Sequence, residues 1–175
     1  MSLDHAARTI RTPRLLLRRA VAADLDALHA MMSDPETMRF WSSPPHPDRE
    51  TTARWLDSMI TGPPETSDDF IVELDGRVVG KLGAWRWPEV GFLLSRDCWG
   101  QGYASEALTA FVDYAFARGI DHLTADVDPR NRGCLALLAR TGFRETRRAA
   151  RTWLVGDQWC DSVYLRLDRP HLSDA

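Results

Sequence analysis

The sequence predicts an α/β fold of the mixed, α+β kind: a largely antiparallel central sheet of about six to seven strands flanked by about four helices. Three observations predict it. Apolar patterns of period two and period 3.6 alternate in the order strand, two helices, three strands, helix, strand, helix, two strands. Turns at Asp75-Gly76 and Gly156-Asp157 each join two β-rich runs, as hairpins require. One strand–helix–strand unit spans residues 89–128. At 175 residues the chain reads as one domain, 1–175, with a flexible N-terminus over 1–11 and a C-terminal tail over 169–175.

Each element has its own signal. "RLLLRRA", residues 14–20, is a first strand after Pro13. Val21, Leu25, Leu28 and Met32 then follow helical spacing until Asp34-Pro35 ends the run. "WSSPPHPDRE", residues 41–50, is a loop by its prolines, and a second helix covers about residues 48–60 before Gly62-Pro63-Pro64. "FIVEL" (70–74) and "RVVGKLGAW" (77–85) form the hairpin, and "EVGFLL" (89–94) is the next strand. Ala104, Ala107, Leu108, Phe111, Val112 and Ala115 make one continuous apolar helix face, closed by Gly119. "HLTADVD" (122–128) is a strand and "NRGCLALLARTGF" (131–143) a capped helix stopping at Gly142. Two strands in "RTWLVGDQWCDSVYLRL" (151–167) complete the chain.

Composition narrows the functional classes. With 44% hydrophobic and 27% charged residues, the chain reads as soluble and globular. A net charge of −3 gives no bulk electrostatic case for nucleic acid or an anionic membrane. Lys81 is the only lysine, and the arginines are scattered. Cys98, Cys134 and Cys160 contain no CxxC pair and leave an odd thiol in any pairing, which points to a reducing, cytoplasmic setting and away from a metal site. The first ten residues have no apolar signal region, and no apolar stretch is long enough to span a bilayer.

The run "DCWGQGYASEAL", residues 97–108, carries the chemistry. Two alternate glycines between a strand and a helix expose bare backbone where first-turn amides and the helix dipole favour an anion. It is neither a P-loop, since no lysine follows, nor a dinucleotide fingerprint, since Ser105 stands at the final glycine position. A plain strand-to-helix turn is the alternative.

The string Trp99-Gly100-Gln101-Gly102-Tyr103-Ala104-Ser105-Glu106-Ala107, with "TPRLLLR" (12–18), "SDPETMRFW" (33–41) and "DPRNRGCLALLARTGF" (128–143), resembles the GNAT superfamily of acetyl-CoA-dependent N-acetyltransferases. The similarity is to the branch that acetylates ribosomal-protein N-termini, and it runs along nearly the whole chain. Gly102 and Ala104 match the family's acyl-CoA loop, whereas Trp99 stands at its Gln/Arg position. The resemblance implies the acyl-CoA N-acyltransferase fold, acetyl-CoA as acyl donor and no metal. It also implies an amine acceptor, either a protein N-terminus or a small molecule, and leaves a homodimer open. The backbone of Phe92, Leu93 and Leu94 would hold the pantetheine arm. The amides of Gly100, Gln101, Gly102, Tyr103, Ala104 and Ser105 would hold the pyrophosphate. Asn131 would contact pantetheine or cap its helix. Arg130, Arg132 and Arg140 would either meet the 3′-phosphate or stay in solvent.

Acetyl transfer to nitrogen needs a base, an oxyanion site and a leaving thiolate. The strand amides at 92–94 are the oxyanion candidates, one such donor being worth roughly 10²–10³ in rate. Glu89, opening the same strand, is the first candidate base and Asp126 its competitor; each is otherwise an ordinary strand carboxylate. Relatives that use a tyrosine acid have it where this chain has Leu138. Cys134, where the branch has serine, is the remaining acid candidate, because a thiol near a helix N-terminus ionises more easily; its bland reading is a small slot-filler. Trp41, Trp55, Trp153 and Trp159 border an acceptor pocket or pack in the core, with core packing the expectation for most. Transfer to an amine and a non-catalytic acyl-CoA-binding or regulatory domain are the two readings, since a fold does not fix turnover.

Overall fold

The computed structural model describes residues 2–4 and 8–170. Its strands are β1 (Ser2–Asp4), β2 (Thr9–Arg11), β3 (Leu15–Arg18), β4 (Asp68–Leu74), β5 (Arg77–Arg86), β6 (Glu89–Leu94), β7 (His122–Val127), β8 (Arg144–Val155) and β9 (Gln158–Asp168). The helices are α1 (Leu25–Met32), α2 (Arg49–Thr61), α3 (Tyr103–Ala117) and α4 (Arg132–Arg140). All nine strands form one sheet in the order β1-β2-β3-β4-β5-β6-β7-β9-β8. Every neighbouring pair is antiparallel except β6 and β7.

The alternation in "RLLLRRA" buries Leu15 and Leu17 on one face, against α3. Phe70, Leu82, Val90, Leu123 and Ala125 extend that face, and α3 and α4 cover it with Leu108, Phe111, Leu137 and Leu138. The opposite face packs Ile71 and Leu93 against Leu28 and Met32 of α1 and Leu56 and Met59 of α2. That cover does not extend over β7 and β9, where Thr124 and Asp126 alternate with buried Leu123, Ala125 and Val127. Asp48 caps α2, accepting from the Thr51 amide at 2.8 Å. Gly119 lies at φ +87°, the left-handed geometry that ends α3.

Two boundaries differ from the sequence reading. The sheet has nine strands rather than six to seven, because Ser2–Asp4 and Thr9–Arg11 add two beside β3. Thr9–Arg11 pairs with β3 and buries Ile10 completely, a lone apolar residue between polar ones that gives no periodic signal. At the other end, the Arg169 amide bonds the Asp121 carbonyl at 2.8 Å, while 171–175 of the expected tail lie outside the described residues.

Candidate active site

The glycine run is shaped by backbone conformation, not by crowding. Gly100 lies at φ +72° and Gly102 at φ +83°. A β-carbon on Gly100 would meet nothing within 4 Å, so the left-handed angle alone selects glycine. Gly102 is the N-cap of α3 and brings no side chain to satisfy the first turn. The amides of Tyr103, Ala104 and Ser105 are thus left without a cap at the positive end of a 15-residue helix.

β6 leads straight to this turn. Its β5 edge is paired from Glu89 to Leu94, but its β7 edge is joined at one position, Glu89 opposite Thr124. Beyond that point β6 and β7 separate, and of residues 91–93 only Phe92 turns its backbone amide and carbonyl into the gap, since alternation directs those of Gly91 and Leu93 toward β5. Such an edge accepts an extended chain as an added strand. The Leu94 carbonyl is different: it accepts from the Trp99 indole Nε1 at 2.8 Å. Tryptophan at the Gln/Arg position therefore occupies the last carbonyl of the strand.

α4 begins across the gap. Asn131 caps it, its Oδ1 accepting from the Cys134 amide at 3.1 Å. The Cys134 thiol does not follow the expectation of easier ionisation, since burial pushes it up to about 12. A thiol that weak cannot readily hand its proton to a thiolate whose acid ionises near ~8.5. The thiol is thus held in its neutral form. Leu138, where relatives have a tyrosine, is fully buried.

On the opposite face of the sheet lies a cavity of 390 Å³. Glu89 and Asp126 both line it, so the two candidate bases share one wall, and Gly91 forms floor between them and the roof. A β-carbon on Gly91 would stand 3.9 Å from the Trp41 ring, which marks how low that roof sits. The Asp126 Oδ2 accepts from the Trp153 indole at 2.7 Å, while Glu89 has no ion-pair partner among the described residues. Trp41, Trp55, Trp85 and Trp153 line the cavity with their rings. Of the four tryptophans named from the sequence, Trp41 and Trp55 pack against the second core cluster, whereas Trp153 and Trp159 are each more than a third exposed.

Several cavity residues carry no motif in the sequence. Lys81 is 1% exposed and lies 2.6 Å from Asp69 Oδ1 as an ion pair that lacks hydrogen-bond direction. Its ammonium stands 5.7 Å from the Trp41 ring and 5.9 Å from the Trp55 ring. The available signal was a charged residue inside the apolar strand "RVVGKLGAW". Arg130 also lines the cavity, bonding both oxygens of Asp128. Burial opposes the ionised form of Asp128, yet the bonds from Arg130 hold its pKa below the usual range. Among the described residues no group of His, Cys, Asp and Glu is placed to hold a metal ion.

A sheet opened beyond one parallel pair, with an uncapped glycine turn leading into a helix beside the opening, defines an acyl-transfer fold. The chain belongs to the acetyltransferase (GNAT) family, whose domain model matches residues 14–144. It is 30% identical over 148 residues to the uncharacterized N-acetyltransferase p20 of Bacillus licheniformis, covering 78% of this chain and 83% of p20. The GNAT-family acetyltransferase of Bacillus anthracis superposes with a TM-score of 0.81 at 23% identity, covering 91% and 98% of the two chains. The ribosomal L7/L12 alpha-N-protein acetyltransferase RimL, solved in complex with coenzyme A, gives a TM-score of 0.81 at 18% identity over 91% of this chain and 97% of that one. At those identities the two solved structures establish a shared fold.

Proposed function

We propose that the protein transfers the acetyl group of acetyl-CoA directly to a primary amine held in the 390 Å³ cavity. The observation that carries this reading is the placement of Glu89. It ends the one paired stretch between β6 and β7, so its carboxylate lines the acceptor cavity at the mouth of the gap. Acetyl-CoA supplies an activated thioester. The uncapped amides at 103–105 and the left-handed glycines fit its pyrophosphate, and the open backbone of Phe92 fits its pantetheine arm. Glu89 removes the ammonium proton, directly or through one water. Asp126, oriented by Trp153, attracts the ammonium and is the weaker base because one oxygen is already occupied. The β6 amides stabilise developing negative charge on oxygen, and the neutral Cys134 thiol donates a hydrogen bond near the gap.

The acceptor is a cationic amine, from a small molecule or a protein N-terminus. Of the five cavity carboxylates, Asp69 and Asp128 are neutralised by Lys81 and Arg130, whereas Glu89, Asp126 and Asp161 have no ion-pair partner among the described residues. The tryptophan rings add faces that favour a cation.

The test begins with the melting temperature with and without acetyl-CoA. A hundredfold excess over Kd contributes ~2.7 kcal/mol, and at ~2–4 °C per kcal/mol the rise is about 5–10 °C. An amine panel, read as release of free CoA, then separates an enzyme from a binding domain. No shift at millimolar acetyl-CoA overturns the whole reading. A shift with no amine-dependent CoA release leaves the regulatory acyl-CoA-binding domain as the function.

A further inference from the structure

Glu106 lies in the first turn of α3, where a carboxylate opposes any phosphate bound at the same helix end. The chain answers it with a residue ninety-two positions earlier. Arg14 donates to Glu106 twice, from its backbone amide to Oε1 at 2.9 Å and from Nε to Oε2 at 2.6 Å. Thr12 Oγ1 donates to the same Oε1 at 2.5 Å. Burial opposes the ionised form of Glu106, but the bonds from Thr12 and Arg14 keep its pKa below the usual carboxylate range, so the charge persists and needs cancelling.

The guanidinium does more than neutralise. Its Nη1 donates to the Gln101 carbonyl at 3.0 Å, between the two left-handed glycines, and its plane lies 4.4 Å from the centre of the Tyr103 ring. Arg14 therefore fixes the turn at one carbonyl and the first helical residue by stacking. Its Nη2 is 3.4 Å from the point where a Gly102 side chain would begin, and takes no acceptor among the described residues. The Arg14 side chain is 45% exposed, so this last donor is open to a ligand.

We infer that Arg14 is a diphosphate-binding residue: its Nη2 donates to the donor's pyrophosphate, while Nε and Nη1 hold Glu106 and the glycine turn in the shape that admits it. This rests on the proposed use of acetyl-CoA at the turn. It assigns a function to an arginine just before β3, outside the loop that carries the anion site. It also explains why Thr12, Arg14 and Glu106 belong together in one sequence.

The test compares acetyl-CoA with S-acetylpantetheine, which carries the same thioester and no phosphate, in the wild type and in Arg14→Gln, Arg14→Lys and Arg14→Gln/Glu106→Gln. Arg14→Gln raises KM for acetyl-CoA about tenfold or more, the loss expected for a charge-assisted hydrogen bond. KM for S-acetylpantetheine stays within about twofold. Adding Glu106→Gln recovers part of the acetyl-CoA loss, because the uncancelled carboxylate is gone. Arg14→Lys keeps the charge and loses the fork, and falls between the two. Equal weakening of both donors, or no recovery in the double variant, makes Arg14 a purely structural tie and overturns the inference. Should Arg14→Gln fail to fold by circular dichroism, the Arg14→Lys comparison of the two donors decides: an unchanged ratio of KM values sinks the proposal. Failure of the wild type to bind acetyl-CoA would instead remove the earlier reading.

Discussion

Glu89 and Asp126 are two carboxylates on one cavity wall, and their hydrogen bonding separates them. Asp126 is held at one oxygen by Trp153, whereas Glu89 is held by nothing that would fix it against a substrate proton. Glu89→Gln is therefore expected to lower kcat by about 10²-fold, the lower end for a positioned base. The loss is read by CoA release. Asp126→Asn should act mainly on the amine KM. If the two variants exchange these signatures, the base is Asp126. Cys134 makes a contrasting prediction. With its thiol pushed up to about 12, it serves as a neutral donor, and Cys134→Ser should keep activity near wild type. Cys134→Ala should cost no more than about tenfold, the worth of one neutral hydrogen bond. A loss of a thousandfold in Cys134→Ala would mean that the thiol transfers a proton after all.

At the scale of elements, the turn between β6 and α3 concentrates the consequences of backbone geometry. Gly100→Ala introduces no clash, yet forces an L-residue to φ +72°, at a cost of roughly 1–2 kcal/mol. We expect it to fold with a lowered Tm and to bind acetyl-CoA more weakly; Gly156→Ala, equally unhindered at φ +62° on the far hairpin, should lose stability but keep affinity. Calorimetry with and without ligand separates the two. These elements were largely legible in the sequence because their signals are local. Period-two runs gave β3 to β7, the Asp-Gly and Gly-Asp turns gave both hairpins, and one apolar stripe gave α3. β2 was not legible, since burial of Ile10 depends on a strand far along the chain. The site divides in the same way. The glycine run and the Asn131 cap follow local pattern and Glu89 follows from the family resemblance, whereas the Lys81–Asp69 pair, the Asp128–Arg130 pair and the Trp99–Leu94 bond exist only once the chain is folded. Trp99 shows the limit best: its position was evident, but not that its indole would close the end of β6.

For the whole molecule, the shifted groups lie on both sides of neutrality and set a pH window for stability. His46 is buried between Thr52 and Trp55 and its pKa is lowered, by burial first and by the neighbouring His29 second. A lowered folded pKa means that the unfolded state binds the proton more tightly, so the contribution is complete above the unfolded value of ~6.5 and is lost as pH falls through the folded value. Glu106 and Asp128 are lowered too, and their contributions fade only below the ordinary carboxylate range near ~4. On the alkaline side, Cys134 and Tyr114 are both raised to about 12, Cys134 by burial and Tyr114 by burial together with the Asp68 carboxylate it bonds. For these the protonated form belongs to the folded state, so stability is intact below the unfolded values of ~8.5 and ~10 and declines as pH rises toward 12. Tm should therefore be flat from about pH 7 to 8, fall gently toward pH 5, and fall again above pH 9. The acid slope between pH 7 and 5 is assigned to His46 because the carboxylates are still ionised there. His46→Gln lowers Tm at every pH by removing a packed ring, but it should flatten that slope. A slope unchanged in His46→Gln would place the titrating group elsewhere.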